Sequence, residues 1–159
     1  MTDFDALLSA LAKHQVEFIL VGGAAAIAHG SVRLTQDLDI VYERSVKNLD
    51  RLVMTLAPHE PYLRGAPPGL PFEWSRATLV RGLNFTLSTS LGDIDLLGEI
   101  PGGGTYEELL PGAIQLQVFK TRCFCLSLSQ LIRAKRAAGR PKDWESLAEL
   151  EAIDEESSL

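Results

Sequence analysis

Asp37 and Asp39 are separated by one residue, Leu38, and lead into the apolar run Ile40-Val41-Tyr42. On a strand, alternate side chains share a face, so the two carboxylates would project together from Cα atoms about 6.5–7 Å apart. Carboxylates held that close repel one another unless a cation lies between them, and hard oxygen donors suit Mg²⁺. A phosphoryl-transfer site with two cations about 3.5–4 Å apart needs such a pair and one further carboxylate. That third group has to come from a neighbouring strand. Gly92-Asp93-Ile94-Asp95-Leu96-Leu97 offers two acids of even spacing. Asp95 lies deeper in the segment and is favoured, whereas Asp93 follows a turn glycine and could serve as its cap.

Other residues fit around these acids. Gly22-Gly23 closes an apolar strand and opens an alanine-rich run. Residues without side chains at such a turn let backbone N–H groups approach a phosphate closely. Arg33 and Thr35, just ahead of the aspartates, could steady phosphate oxygens by charge and hydroxyl contact. Arg33 could equally be an ion-pair partner that holds Asp37 or Asp39. Near the end, Arg133, Lys135, Arg136, Arg140 and Lys142 place five bases within ten residues, and seven acids with no base follow from Asp143 onward. The plain reading is a solvated helix with an acidic tail. The sharper one sets Lys135 and Lys142 over a triphosphate, neutralising charge as it develops. His29 reads as a packing or capping residue sooner than a catalytic one.

The spacing Gly22-Gly23…His29-Gly30…Arg33-Leu34-Thr35-Gln36-Asp37-Leu38-Asp39-Ile40 resembles the nucleotidyltransferase-fold superfamily (polymerase-beta-like). Its nearest likeness is to the minimal bacterial nucleotidyltransferases that include toxin, antitoxin and abortive-infection members. The similarity continues through Asp93–Leu97 and Lys135…Arg140-Pro141-Lys142-Asp143. It implies a mixed sheet covered by helices, with Asp37 and Asp39 as metal ligands, Asp95 as the third metal-associated carboxylate or base, and Gly22-Gly23 against nucleotide phosphate. It further implies Mg²⁺, two ions in all, and transfer of a nucleoside monophosphate from an NTP such as ATP to a hydroxyl, with release of pyrophosphate. The acceptor would be RNA, a protein or a small molecule. A second expectation from the same resemblance is a catalytically weak or inactive binding protein that restrains its partner in a two-gene system. Many relatives carry Gly-Ser where this chain has Gly22-Gly23, so a serine hydroxyl contact to phosphate is missing here.

The elements that must position these groups are legible in outline. Phe4, Leu7, Leu8 and Leu11 recur at helical spacing in residues 3–14, as do Val46, Leu49, Leu52, Val53 and Leu56 in residues 46–57. Residues 16–21, 39–42, 78–80, 84–88 and 93–97 read as strands, and residues 115–119 with 123–126 as a late hairpin. Pro58 to Pro71, with five prolines and two glycines, reads as a connecting loop. Ser127 and Gln130 form a capping box that opens a helix to about Ala138, and Pro141 stands where a first helical position is expected. The pattern is α+β (mixed α/β): a core over residues 1–126 and a C-terminal helical hairpin over 127–159 packed on it, one domain together.

Composition narrows the classes. With 21 acidic and 15 basic side chains among 159 residues the formal charge is −6, which argues against broad coating of nucleic acid. Apolar residues make up 46% and charged ones 23%, the balance of an ordinary globular protein. Cys123 and Cys125 lack the further Cys/His pair that a zinc site needs and read as same-face strand residues. The chain opens on acidic residues with no long apolar run, so a cytoplasmic setting without membrane contact is expected.

Overall fold

The computed structural model describes residues 1–158. Its centre is a seven-stranded mixed sheet built from β1 (Phe18–Val21), β2 (Asp37–Tyr42), β3 (Tyr62–Leu63), β4 (Phe85–Thr89), β5 (Gly92–Leu97), β8 (Ile114–Val118) and β9 (Thr121–Cys125), with a separate ribbon of β6 (Glu99–Ile100) and β7 (Gly104–Thr105). The spatial order is β3-β4-β5-β2-β1-β9-β8. β2 runs parallel to β5 and β1 parallel to β9, while the remaining neighbours in the sheet are antiparallel. The helices are α1 (Phe4–Lys13), α2 (Gly22–Ala28), α3 (Val46–Leu56), α4 (Arg76–Arg81), α5 (Tyr106–Leu109), α6 (Leu128–Ala138) and α7 (Asp143–Ser157). This is the α+β arrangement expected, and α6 and α7 pack together as the C-terminal helical pair.

The two faces of the central strands explain the site. In β2, Leu38 and Ile40 are fully buried while Asp37 and Asp39, which alternate with them, are only half-buried. The parallel register sets Leu38 beside Ile94 and Ile40 beside Leu96, so one face of β2 and β5 is apolar. Leu7, Leu8 and Leu11 of α1 and Leu49, Leu52 and Leu56 of α3 join the same core cluster. Each such fully buried side chain contributes about 1.5–3 kcal/mol. Because the pleat has period two, fixing that apolar face fixes the acids on the other.

Three readings of the sequence are corrected. Thr78-Leu79-Val80, expected as a strand, lies in α4: Ser75 caps it by accepting from the Thr78 N–H, and Leu79 alone is buried. Tertiary placement of one leucine outweighs the β propensity of two branched residues. The proline-rich segment is not uniformly loop, for it holds a 3-10 turn over Ala57–His59 and the short edge strand β3. Pro141 precedes the last helix without entering it; α7 begins at Asp143, after turn bonds from the Asp143 and Trp144 N–H groups to the carbonyls of Arg140 and Pro141. The Ser127–Gln130 capping box stands as expected, and both cysteines are buried. Burial pushes the Cys123 thiol up to about 11 and the Cys125 thiol up to about 12, so neither is a nucleophile at neutral pH. No helix among the described residues is long and apolar enough to cross a membrane.

Candidate metal and nucleotide site

The parallel pairing of β2 with β5 sets Asp37 beside Asp93 and Asp39 beside Asp95. Four carboxylates therefore share one patch of one sheet face. Asp37, Asp39 and Asp95 each offer an oxygen within 4.8 Å of the others, close enough to ligate a common cation. Burial, then the charges of Asp37 and Asp95, push the Asp39 carboxyl up to about 8. Burial also raises Asp95, followed by its contact with Asp37. Asp39 Oδ1 and Asp95 Oδ1 are buried and accept no hydrogen bond. An orphaned buried carboxylate oxygen is costly, and a hard dication is the partner that such donors fit. The residues present thus fit a divalent cation.

Gly22 shapes the wall beside this patch. Val21 pairs with Asp39 across β1 and β2, and the next residue turns at φ +65° into α2. A Cβ on residue 22 would stand 2.2 Å from Asp39 Oδ2, so both the backbone angle and the space demand glycine. A Cβ on residue 23 would stand 2.6 Å from Thr35 Oγ1, and that hydroxyl fills the place where a longer side chain would lie. Thr35 itself donates to the Asp37 carbonyl at 3.3 Å.

The basic residues divide. Lys135 lines two cavities that meet at Gly23. One, about 180 Å³, is bounded by Gly22, Gly23, Asp39, Leu131, Lys135 and Arg140 and so opens onto the acidic patch. The other, about 200 Å³, includes Arg33, Thr35 and Glu149. Lys135 Nζ lies 3.2 Å from Asp143 Oδ1, and Arg140 Nε donates to Asp143 Oδ2 at 2.8 Å. Lys142 is exposed at the head of α7 and lines neither cavity. Arg33, considered above as a partner for Asp37 or Asp39, instead pairs with Glu145 at 3.3 Å and Glu149 at 3.7 Å on α7. Glu149 also accepts from Ser31 Oγ, and these bonds pin the 30–36 loop to the C-terminal helix. His29 Nε2 donates to the Leu126 carbonyl at 2.7 Å, a structural tie from the end of α2 to the end of β9.

The cation beside the acids is Arg64, from the proline-rich segment expected to be a connecting loop. Its guanidinium lies 2.8 Å from Asp95 Oδ1, 3.5 Å from Asp93 Oδ2 and 3.7 Å from Asp37 Oδ2. Register puts it there. Leu63 pairs with Leu87, and the Arg64 N–H donates to the Thr86 carbonyl at 3.0 Å, while Thr86 pairs with Asp95 and Asp95 with Asp39. One row across the sheet thus reads Arg64, Thr86, Asp95, Asp39. The signal in the sequence was slight: Arg64 is the one Lys or Arg among residues 58–71, directly after the apolar pair Tyr62-Leu63. Arg140 was likewise noted only as one base of a run, not as part of the cavity wall.

Comparison with solved structures shows a likeness of the overall fold. The chain is similar to a crystal structure from Thermotoga maritima described as a "putative nucleotidyltransferase", with a TM-score of 0.58 over 91% of this chain and 88% of that one. Identity is 13%, so the likeness is one of fold. No protein-family model matches the chain, and no curated protein matches it.

Proposed function

We propose that the chain is a metal-dependent nucleotidyltransferase. The observation that carries this reading is the meeting of Asp37, Asp39 and Asp95 on one sheet face, two of their buried oxygens without a hydrogen-bond donor, in a nucleotidyltransferase-like fold. Asp37 and Asp39 would hold two divalent cations, Mg²⁺ being the ordinary choice for such donors, with Asp95 completing the set. Cations there would supply positive charge to the phosphates and to an attacking oxygen. The glycine wall at Gly22-Gly23 gives a polyphosphate backbone-close access. Thr35 Oγ1 stands 2.6 Å from where a Cβ on residue 23 would lie, so it offers a hydroxyl beside the position of the missing serine. Lys135 and Arg140, which line the same cavity as Asp39, bring charge to the departing pyrophosphate, whereas Arg33 is held by Glu145 and Glu149 and Lys142 lies outside that cavity.

The reaction is an in-line displacement. An acceptor hydroxyl attacks the α-phosphorus of an NTP, ATP being one choice, the new O–P bond forms, the bond from the α-phosphorus to the bridging oxygen breaks, and pyrophosphate leaves. The hydroxyl proton passes to the carboxylate of Asp95. The acceptor is RNA, a protein hydroxyl or a small molecule. One experiment tests the reading: incubation with α-labelled NTPs, Mg²⁺ and either total RNA or candidate proteins. Label should appear on an acceptor with the wild-type chain and vanish in D37A/D39A. A wild type that labels nothing under all those conditions overturns it.

The Arg64 ion pairs favour a second reading. They neutralise part of the cluster without any metal ion, as a non-catalytic member of a two-gene toxin–antitoxin pair would require. Under that reading the chain still captures its partner when Asp37 and Asp39 are both alanine.

A further inference from the structure

Four carboxylates and one guanidinium meet in the acidic patch, and the one aligned side-chain hydrogen bond of the guanidinium goes to a backbone carbonyl and not to an acid. Arg64 Nη2 donates to the Leu87 carbonyl at 2.7 Å. The same atom is 2.8 Å from Asp95 Oδ1, yet no N–H is aligned with that oxygen, and Arg64 Nε is buried without an acceptor. The pairing with Asp95 is therefore one of charge without a directed bond. An arginine that had settled there as a permanent structural partner would be expected to present its flat fork in two aligned bonds. The residue also leaves the sheet at its edge. β3 is two residues long, and the chain beyond it is looped back by the Tyr62 hydroxyl, which donates to the Pro67 carbonyl and accepts from the Leu70 N–H. Turning the Arg64 side chain away would give up the bond to the Leu87 carbonyl, and Arg64 itself is no member of the apolar core.

We infer that Arg64 is a built-in competitor for the divalent cation, a positioning residue that gathers Asp37, Asp93 and Asp95 while no metal is bound and yields Asp95 when one arrives. The inference rests on the metal reading of the same site. Distances fix which ligands are contested. Arg64 reaches Asp95, Asp93 and Asp37 but has no ion pair with Asp39, whose Oδ1 has no donor. A first cation therefore meets Asp39 unopposed and gains Asp95 only against the guanidinium. Four acidic groups against one guanidinium still leave a patch that draws cations in, so the competition lowers affinity without abolishing it.

A purely structural role predicts the opposite response to mutation, which makes the inference testable. Mn²⁺ is titrated into the full chain by calorimetry, alongside melting curves in EDTA and in Mn²⁺, for wild type, R64Q, R64K and D37A/D39A. R64Q is expected to bind Mn²⁺ about tenfold more tightly than wild type, to melt lower in EDTA, and to gain more on adding metal. R64K, a compact charge on a shorter fork-less stem, should fall between them and serves if R64Q does not fold. Equal or weaker Mn²⁺ binding in R64Q or R64K, with D37A/D39A abolishing it, overturns the competitor role and leaves the metal reading standing. Folded wild-type and R64 variants that all bind no Mn²⁺ overturn both.

Discussion

Two acidic centres in this molecule sit in opposite electrostatic situations. Asp143, 4% exposed at the head of α7, has two cations: Lys135 at 3.2 Å and Arg140 at 2.8 Å. Those bonds, Arg140 first, hold its carboxyl down at about 2 despite burial. Asp39 has Asp37 and Asp95 for neighbours, no ion pair of its own and an oxygen with no donor; burial and those charges push it up to about 8. One centre is finished and staples the end of α6 to the start of α7. The other is left short of positive charge, and Arg64 supplies one unit where four carboxylates stand. A fold that can satisfy one carboxylate with two bases has the means to satisfy another. Where it stops short, the missing charge is what supports the proposed cation site.

The sharpest way to break the contrast is to remove the unfinished centre. D37A/D39A should lower nucleotidyl transfer about a thousandfold or more while the chain stays folded, read by label transfer beside circular dichroism. Retained transfer would place the chemistry elsewhere. Next in size is G22A. A Cβ at φ +65°, 2.2 Å from Asp39 Oδ2, should cost about 2 kcal/mol or more and displace the very oxygen that a cation needs. Urea titration and Mn²⁺ binding should both register it. D143N then tests the finished centre: losing its charge-assisted bonds should cost about 1–3 kcal/mol of stability, seen as a lower urea midpoint.

The smallest effect is in pH, and the two centres run in opposite directions. Asp143 binds its proton less readily in the folded chain, so its contribution is complete above its ordinary value of 3.8 and is lost as pH falls through about 2. Asp39 binds its proton more readily in the folded chain, so without metal the folded state loses ground as pH rises from 3.8 through about 8. Melting curves in EDTA should therefore fall across that interval. D39N should flatten the fall and raise the melting temperature at neutral pH by about 2–4 °C. A wild-type curve that climbs from pH 5 to pH 8 in EDTA would show that the acids are not strained against one another.

Parts of this site were open to reading before any coordinates. The D-x-D pair followed by a branched apolar run announces two acids on one strand face, and β2 carries them so. Gly92-Asp93-Ile94-Asp95 gave the third acid by the same period. What could not be read was the neighbour of each strand. That β2 lies parallel to β5, in a register that sets Asp39 beside Asp95, follows from how Leu38, Ile40, Ile94 and Leu96 find one shared core. Arg64 was lost for the same reason, compounded by its setting: prolines and glycines on both sides signal a loop, and two paired residues are too few to show a period. Thr78-Leu79-Val80 misled in the other direction, because branched residues were weighed without knowing that only Leu79 had a core to enter.

The amino-acid order alone thus determined which residues could do chemistry and on which face of its own strand or turn each would stand, because alternation and glycine backbone freedom are local properties. Which acid faces which, and the guanidinium that stands among them, were decided by tertiary structure. Those relations depend on pairings across 50 or more residues of chain, such as Asp39 with Asp95, and on the long reach of Arg64 across two strands. Burial of a common apolar face selects such pairings, and no local pattern records them.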